Sequence, residues 1–331
     1  MSAGVHRSLI KFTLLLVGLW LVPTVRSALP PAPIPPRPAV VHPFRLGISA
    51  AVLSHVNEND ARAAIGSFAR QISLNHEVPP APFPFLFKNI QQIRQLTAAD
   101  RIDAIVLTLP ELWAVRADLN VTDLCVANHD GQIAERFVVL VHRDSPIQNL
   151  ADLAGKSLAV GSNARTVLAP FWLDLELARL QLPPTPDHVG SITEHTRSNR
   201  PALDVFFRRA DACLVSERMQ ETVYELNPAL RSNLRAIAVS PALMSTAIAF
   251  IRPSDSFVQA IAVREILQLQ ESPAGRQVLL LLRMQRVTRE PVSALADSLA
   301  LLDEHQRHRG ASPGILAPRL SSTPGPDEPA P

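Results

Sequence analysis

The sequence predicts an α/β fold with largely parallel sheets. Short apolar runs typical of strands alternate with amphipathic helical patterns from about residue 44 to residue 306. The chain has 331 residues, which is enough for one large domain or for two lobes with separate cores. Hydrophobic residues make up 47% of the chain and charged residues 19%, a composition typical of globular proteins.

The amino-terminal half is predicted to begin with the strand FRLGIS at 44–49. A helix follows over 58–74, because its apolar residues recur three and four positions apart. DAIVLTL at 103–109 is predicted to be a buried strand, and RFVVLVHR at 136–143 and SLAVGS at 157–162 are predicted as two further strands.

The carboxy-terminal half continues the alternation. A helix is predicted at 166–180, strands at 210–216, 234–241 and 246–253, and closing helices at 256–271, 273–283 and 291–306.

The two ends of the chain have a different character. HRSLIKFTLLLVGLWLVPTVRSA places basic residues ahead of a short apolar run, the layout of a secretory signal peptide over 1–27. Export to the periplasm is therefore expected, with an uncleaved membrane anchor as the alternative. A proline-rich linker is expected over 28–43 and a disordered tail over 307–331.

Several function classes are disfavoured by what the sequence contains. The formal net charge is only +2 and no basic stripe is interleaved with aromatic residues, so nucleic-acid binding is not expected. No nucleophile elbow, zinc-protease motif, P-loop or dinucleotide fingerprint occurs, so we expect neither an enzyme, a cofactor nor a metal. His305 and His308 share a helical spacing, but a solvated helix end explains them.

Cys125 and Cys213 leave two possibilities open. In an oxidising compartment they could form a disulfide. Each also lies in or beside an apolar strand-like run, which is equally consistent with two buried free thiols.

Candidate ligand-binding residues come from the ends of predicted strands, where open α/β sheets bind their ligands. The groups found there are mostly hydroxyls and amides, which suit a small polar ligand better than acid–base catalysis, although such residues also favour turns and helix caps. The candidates are Ser49, Asn57, Thr108, Glu111, Ser162, Asn163, Arg165, Thr166 and Ser216.

The stretch GSNARTVLAPFWLDLELARL at 161–180 is the most specific of these positions. Its apolar spacing requires Pro170 to lie in the first helical turn, so the helix is predicted to start close to Thr166. Free N–H groups would then face Ser162, Asn163 and Arg165, the geometry of an anion site. The alternative is that Thr166 is a plain N-cap and Arg165 a solvated side chain.

Four segments carry a family resemblance. LGISAAVLSHVNENDARAAIGSF, FVVLVHRDSPIQNLADLAGKSLAV, APFWLD and DVFFRRADACLVSERMQETVYELNPALRSNLRAIAVSP resemble the phosphate/phosphite/phosphonate-binding periplasmic proteins of ABC importers. The resemblance runs from about 44 to 290. It implies a type II periplasmic-binding-protein fold in which two α/β lobes are joined by crossing hinge strands and close on an oxyanion.

The resemblance also implies an organisation and a function. Lobe one would comprise 44–118 and most of 236–306, lobe two 137–235, and the hinge 119–136 together with the strand that follows 235. A monomer that captures a phosphate, phosphite or phosphonate for an ABC permease is expected. A sensor module for a signalling partner is the alternative, and an enzyme on the same scaffold comes third. The ligand-holding turn of the family falls on Ser162, Asn163 and Thr166.

Overall fold

The computed structural model describes residues 28–54, 56–129, 131–251 and 256–309, so the predicted signal peptide and most of the predicted tail lie outside it. In the described part the chain forms two mixed sheets surrounded by helices. This architecture confirms the predicted two-sheet α/β fold.

The first sheet has six strands in the order β11-β4-β10-β3-β1-β2. They are β1 (Leu46–Ser49), β2 (Phe85–Phe87), β3 (Ala104–Thr108), β4 (Asp123–Asn128), β10 (Thr246–Phe250) and β11 (Arg286–Glu290).

The second sheet has five strands in the order β7-β6-β8-β5-β9. They are β5 (Phe137–His142), β6 (Ser157–Gly161), β7 (Ser191–His195), β8 (Ala212–Ser216) and β9 (Leu234–Val239). β5 and β8 are almost wholly buried, as expected from their uninterrupted apolar runs.

Both sheets are mixed, as the predicted fold class has them, although the parallel pairs are fewer than expected. β1 pairs in parallel with β2 and β3, and β6 with β7 and β8, whereas β10, β4, β11, β5 and β9 pair only antiparallel in the described part. The physical reason is that β5 and β10 enter their sheets after a passage from the other sheet. Each begins beside the carboxyl ends of the parallel strands and is therefore antiparallel to them.

The helices are α1 (Glu58–His76), α2 (Ile90–Ala98), α3 (Leu109–Val115), α4 (Ala169–Arg179), α5 (Thr185–His188), α6 (Arg200–Phe206), α7 (Glu217–Leu226), α8 (Pro228–Asn233), α9 (Ser256–Leu267), α10 (Pro273–Leu281) and α11 (Ala296–Arg309). Short 3₁₀ turns lie at Arg116–Asp118, Leu150–Leu153, Leu269–Glu271 and Val292–Leu295. None of the described helices is both long and apolar enough to cross a membrane.

Two segments carry the chain between the sheets, and we call them the crossing segments: 129–136, of which 130 lies outside the described residues, and 240–245. They hydrogen-bond to each other, since the Glu135 N–H donates to the Leu243 carbonyl (2.9 Å) and the Leu243 N–H donates to the Glu135 carbonyl (2.8 Å). The range expected for the hinge was wider, and it takes in β4, which is a full strand of the first sheet. A hinge role for the crossing segments stays a prediction.

One apolar core continues from one sheet to the other. It includes Leu107 and Leu124 of the first sheet, Leu243 of a crossing segment, Val139 of the second sheet and Trp172 of α4. The two sheets are therefore packed together beside the crossing segments, as well as linked by them.

The carboxy-terminal helix α11 contacts helices that belong to both sheets. Its Asp303 carboxylate accepts hydrogen bonds from Trp113 Nε1 (2.8 Å) and Arg116 Nη2 (2.6 Å), at the end of α3 and just after it. The next residue, Glu304, accepts from Arg179 Nη2 of α4 at 3.0 Å. The helix thus connects the element after β3 with the element after β6.

His305 of α11 corrects the expectation of a solvated helix end. It is 6% exposed, its ring packs edge-on against Phe171 with centroids 5.1 Å apart, and its Nε2 lies 3.4 Å from Asp174 Oδ2. Burial alone would raise the pKa of Asp174, but hydrogen bonds from His305 and Thr185 outweigh burial and hold that pKa below its ordinary value.

Residues 28–43, expected to form a linker, lie along the first sheet. Leu29 bridges to Arg289 of β11, and Arg37 Nη2 donates to the Glu77 carbonyl after α1 (2.8 Å). Ile34 and Val41 pack against the apolar cluster around α9.

Cys125 and Cys213 are free thiols, and both are fully buried. Cys125 belongs to β4 of the first sheet and Cys213 to β8 of the second. The structure therefore selects the free-thiol alternative, because the two strands belong to different sheets.

Candidate functional site

A cavity lies where the two sheets meet the crossing segments. The carboxyl ends of β1 and β3 lie on one side of the first sheet, and those of β6 and β8 lie on one side of the second. The crossing segments join the two sheets at these carboxyl ends. The cavity is open to solvent, and the non-atom space of ≈ 400 Å³ at this place includes that open solvent. Its lining residues are Ala127, His129, Gln132, Ile133, Ala134, Glu135, Arg165, Arg218, Leu243, Ser245 and Thr246.

Three predicted residues form a closed cluster at the end of β3. Glu111 accepts hydrogen bonds from the Ser49 hydroxyl (2.5 Å), the Thr108 N–H (2.9 Å) and the Thr108 hydroxyl (2.7 Å). A hydroxyl has one proton to donate, so both hydroxyls direct theirs to Glu111 and have only lone pairs left. In this conformation the cluster stabilises the start of α3 and offers no hydroxyl donor to an anion.

Ser245 connects this cluster region to the second sheet. Its carbonyl accepts from the Leu109 N–H (2.8 Å), and its hydroxyl donates to the Arg165 carbonyl (2.6 Å). Thr246 pairs with Thr108 across β10 and β3. The carboxyl end of β3 thus lies next to the residues that line the cavity.

The turn after β6 is closed on itself, and the predicted helix start near Thr166 is wrong. The Thr166 hydroxyl donates to the Gly161 carbonyl (2.5 Å) and accepts from the Asn163 N–H (3.2 Å), while Asn163 Oδ1 accepts from the Arg165 N–H (2.9 Å). Helix α4 begins only at Ala169, with Pro170 in its first turn as expected. These local bonds take up N–H groups that were expected to face an anion.

Two other candidates are helix caps. The Asn57 side chain accepts from the Asn59 and Asp60 N–H groups at the start of α1, and the Ser216 hydroxyl accepts from the Met219 N–H at the start of α7. The Ser162 N–H donates to the His195 carbonyl of β7. Of the predicted ligand-binding residues, only Arg165 is among the described residues that line the cavity.

Arg165 and Arg218 approach one buried carboxylate in the cavity wall. Arg165 Nη1 lies 3.9 Å and Arg218 Nε 4.0 Å from Glu135 Oε1. Arg165 Nη2 is 3.2 Å from His129 Nδ1 and also donates to the Arg283 carbonyl, between α10 and β11. The guanidinium of Arg165 therefore reaches from the second sheet across a crossing segment to the first.

The environment of Arg165 is unfavourable for its charge. Burial lowers its pKa, Glu135 partly compensates, and the positive charges of Arg218 and Arg283 lower it further. A guanidinium remains protonated in proteins, so the lowered pKa means that additional negative charge nearby would stabilise the Arg165 side chain. An anion in the cavity would supply that charge and accept bidentate hydrogen bonds.

Arg218 and Glu135 were missed by reasoning from sequence. Arg218 lies two positions after Ser216, in the first turn of the helix that follows β8. Including that first turn among the candidate positions would have identified it. Glu135 lies in a crossing segment without a periodic pattern, and no signal in the sequence singled it out. Among the described residues, no cluster of His, Cys, Asp and Glu could hold a metal ion.

One comparison with known proteins identifies a family. A family model described as the periplasmic substrate-binding protein of phosphonate ABC transporters matches residues 50–292. A search of curated proteins finds no match.

Solved structures share the fold. The binding protein component of an ABC phosphonate transporter from Pseudomonas aeruginosa is 14% identical with a TM-score of 0.54, covering 80% of this chain and 87% of that chain. PhnD1 from Prochlorococcus marinus in complex with methylphosphonate is 14% identical with a TM-score of 0.51, covering 79% and 98%. A Xanthomonas citri protein bound to ATP is 15% identical with a TM-score of 0.55, covering 80% and 98%.

Proposed function

We propose that this chain, which belongs to the family of periplasmic substrate-binding proteins of phosphonate ABC transporters, captures a small oxyanion of the phosphate, phosphite or phosphonate class in the cavity between its two sheets. It then presents the ligand to an ABC permease in the inner membrane. The family is one of substrate-binding proteins and not of enzymes. Export by residues 1–27 and a monomeric state are parts of the same proposal.

The observation that carries the proposal is the pair of arginines in the cavity. The Arg165 and Arg218 side chains are 34% and 29% exposed, and both guanidiniums lie within 4.0 Å of the Glu135 carboxylate in the cavity wall. Partly desolvated cations hold an anion more strongly than exposed ones, because water screens them less. Charge-assisted hydrogen bonds from two guanidiniums suit the oxygens of a phosphorus oxyanion.

The fold supports a closing motion around that ligand. Only the crossing segments carry the described chain from one sheet to the other. Arg165 contacts both His129 of a crossing segment and the Arg283 carbonyl, which precedes β11 of the first sheet. A rotation about the crossing segments would open the cavity for ligand entry. Ligand in the cavity would then favour the closed arrangement.

Thermal unfolding of the purified protein tests the proposal. Phosphate, phosphite, methylphosphonate and ethylphosphonate are each titrated, with chloride at equal ionic strength as the control. Binding at 100 times Kd stabilises the folded state by about 2.7 kcal/mol, so at least one oxyanion is expected to raise Tm by roughly 5–10 °C. If no anion in a wider panel raises Tm in a saturable manner, the proposal is refuted.

A further inference from the structure

Helix α11 is joined to one sheet and packed on a helix of the other. It follows β11 of the first sheet through the 3₁₀ turn Val292–Leu295. Its buried His305 packs edge-on against Phe171 of α4, the helix that follows β6 of the second sheet. Near its start, the Ser298 hydroxyl accepts from the Met244 N–H of a crossing segment (2.8 Å). The helix thus lies across the place where the two sheets are joined.

The contact of α11 with the end of α3, which follows β3 of the first sheet, lies at the surface. Asp303 Oδ1 accepts hydrogen bonds from Trp113 Nε1 (2.8 Å) and from Arg116 Nη2 (2.6 Å). The side chains of Asp303 and Arg116 are 46% and 43% exposed. The Arg116 guanidinium also lies over the Trp113 ring, 4.9 Å from its centroid. We call these three residues the α11 latch.

The contact of α11 with α4 is more deeply buried. His305 is 6% exposed, and its Nε2 lies 3.4 Å from Asp174 Oδ2 of α4. Beside it, Glu304 accepts from Arg179 Nε at 3.1 Å and from Arg179 Nη2 at 3.0 Å. Buried polar contacts are held more strongly than exposed ones, because water screens them less. If the two sheets rotate relative to each other, α11 is therefore expected to stay with α4 and to separate from α3.

We propose that the α11 latch is made when the cavity closes and broken when it opens, so that its strength sets the affinity for the ligand. The proposal rests on the proposed function and on the hinge role of the crossing segments. In the arrangement described, the latch is made and Arg165, after β6, reaches the Arg283 carbonyl, before β11. Both contacts join the same two sheets, so a rotation that opens the cavity is expected to break both. The latch then favours the closed arrangement without touching the ligand.

A contact made only in the closed arrangement acts on affinity through the closed fraction of the unliganded protein. The apparent Kd is the intrinsic Kd divided by that fraction. Hydrogen bonds to a half-exposed carboxylate contribute less than buried ones, because water competes for the same groups. Where most of the unliganded protein is open, loss of the latch is expected to raise Kd about 3- to 30-fold.

Isothermal titration calorimetry with inorganic phosphate and with methylphosphonate tests the latch. Asp303→Ala is expected to raise Kd about 3- to 30-fold. Glu304→Ala is the matched control at the next position. It removes an ion pair between α11 and α4 that is kept in both arrangements, so Kd is expected to change less than about 2-fold. Asp118→Ala removes a half-exposed ion pair with Arg94, between two elements that accompany the first sheet, and the same small change is expected.

A conservative variant serves if Asp303→Ala does not fold. Trp113→Phe keeps an aromatic ring beside Arg116 and removes only the Nε1 donor to Asp303. It is expected to raise Kd about 2- to 5-fold, because one of the two hydrogen bonds of the latch remains.

Small-angle X-ray scattering without ligand measures the arrangement of the two sheets directly. Asp303→Ala is expected to have a larger radius of gyration than the unaltered protein, and saturating oxyanion is expected to reverse the increase. Glu304→Ala is expected to match the unaltered protein. A contact that only stabilises the fold would lower Tm in Asp303→Ala and leave both the radius and Kd unchanged.

The outcomes separate the two proposals. If no anion of a wide panel binds, the proposed function fails, and an unchanged radius of gyration in Asp303→Ala overturns the latch as well. If an oxyanion binds and Asp303→Ala keeps the Kd of the unaltered protein, only the latch is refuted. If Glu304→Ala weakens binding as much as Asp303→Ala does, α11 does not move with α4 and the latch is likewise refuted.

Discussion

Replacing Glu111 by alanine is expected to destabilise the fold with little effect on anion binding. The Glu111 carboxylate accepts three hydrogen bonds from the ends of β1 and β3. Ser49 and Thr108 are buried residues, 1% and 2% exposed, and removing Glu111 leaves their hydroxyls without an acceptor. The start of α3 also loses the side chain that accepts from the Thr108 N–H.

The magnitude follows from these contacts. A hydrogen bond to a charged group contributes about 1.5–3 kcal/mol, and a lost helix cap costs about 1 kcal/mol. The three bonds share one carboxylate and are not additive, so we expect a loss of about 3 kcal/mol in the free energy of unfolding. For a protein of this size that lowers Tm by roughly 6–12 °C.

Urea and thermal unfolding measure the loss, and calorimetry with the bound oxyanion measures affinity in the same variant. Glu221→Ala is the control, because an exposed ion pair such as Glu221–Arg231 contributes only about 0–1 kcal/mol. A Glu111→Ala protein with unchanged Tm and abolished anion binding would refute the reasoning, since Glu111 would then be a ligand residue.

Three further predictions concern the helix contacts and the thiols. Asp303→Ala removes the hydrogen bonds from Trp113 and Arg116. We therefore expect the free energy of unfolding in urea to fall by about 1–2 kcal/mol and the tryptophan emission spectrum to change. Because the pKa of Asp174 is lowered on folding, its stabilisation is present above the ordinary value of 3.8 and is lost as pH falls through its folded pKa; Asp174→Asn should lower Tm at neutral pH and by progressively less below pH 3.8. Burial raises the pKa of both Cys125 and Cys213, so a thiol reagent should label neither in the native protein and both after denaturation.

The fold could be predicted from the sequence where strands are buried on both faces. β3, β5, β6 and β8 were found within two residues of their observed ends, because an apolar run without polar interruptions leaves few alternatives. β2, β4, β7 and β11 were not predicted as strands. β2 has only three residues, β4 falls in the range predicted as hinge, and SITEH and RVTRE carry polar and charged residues at the edges of the sheets. Edge strands depend on pairing with distant segments, which local patterns do not report.

The site was predicted only in part, for a related reason. The strand-end rule placed Thr108 next to the cavity and Arg165 in its wall, but it could not tell that the Thr108 hydroxyl is directed to Glu111. Arg218 and Glu135 come from distant parts of the chain and meet Arg165 only after the crossing segments have formed. Which donors remain available to a ligand is a property of the folded hydrogen-bond network.

Calorimetric titration of the arginine variants with the oxyanion that stabilises the protein most is the most direct test of the account. Arg165→Ala and Arg218→Ala are each expected to raise Kd about 10- to 100-fold, the loss of one or two charge-assisted hydrogen bonds. Arg231 is an exposed residue of α8, and Arg231→Ala is expected to leave Kd unchanged. Folded Arg165→Ala and Arg218→Ala proteins that bind the oxyanion as tightly as the unaltered chain would contradict the central claim that this cavity holds the ligand.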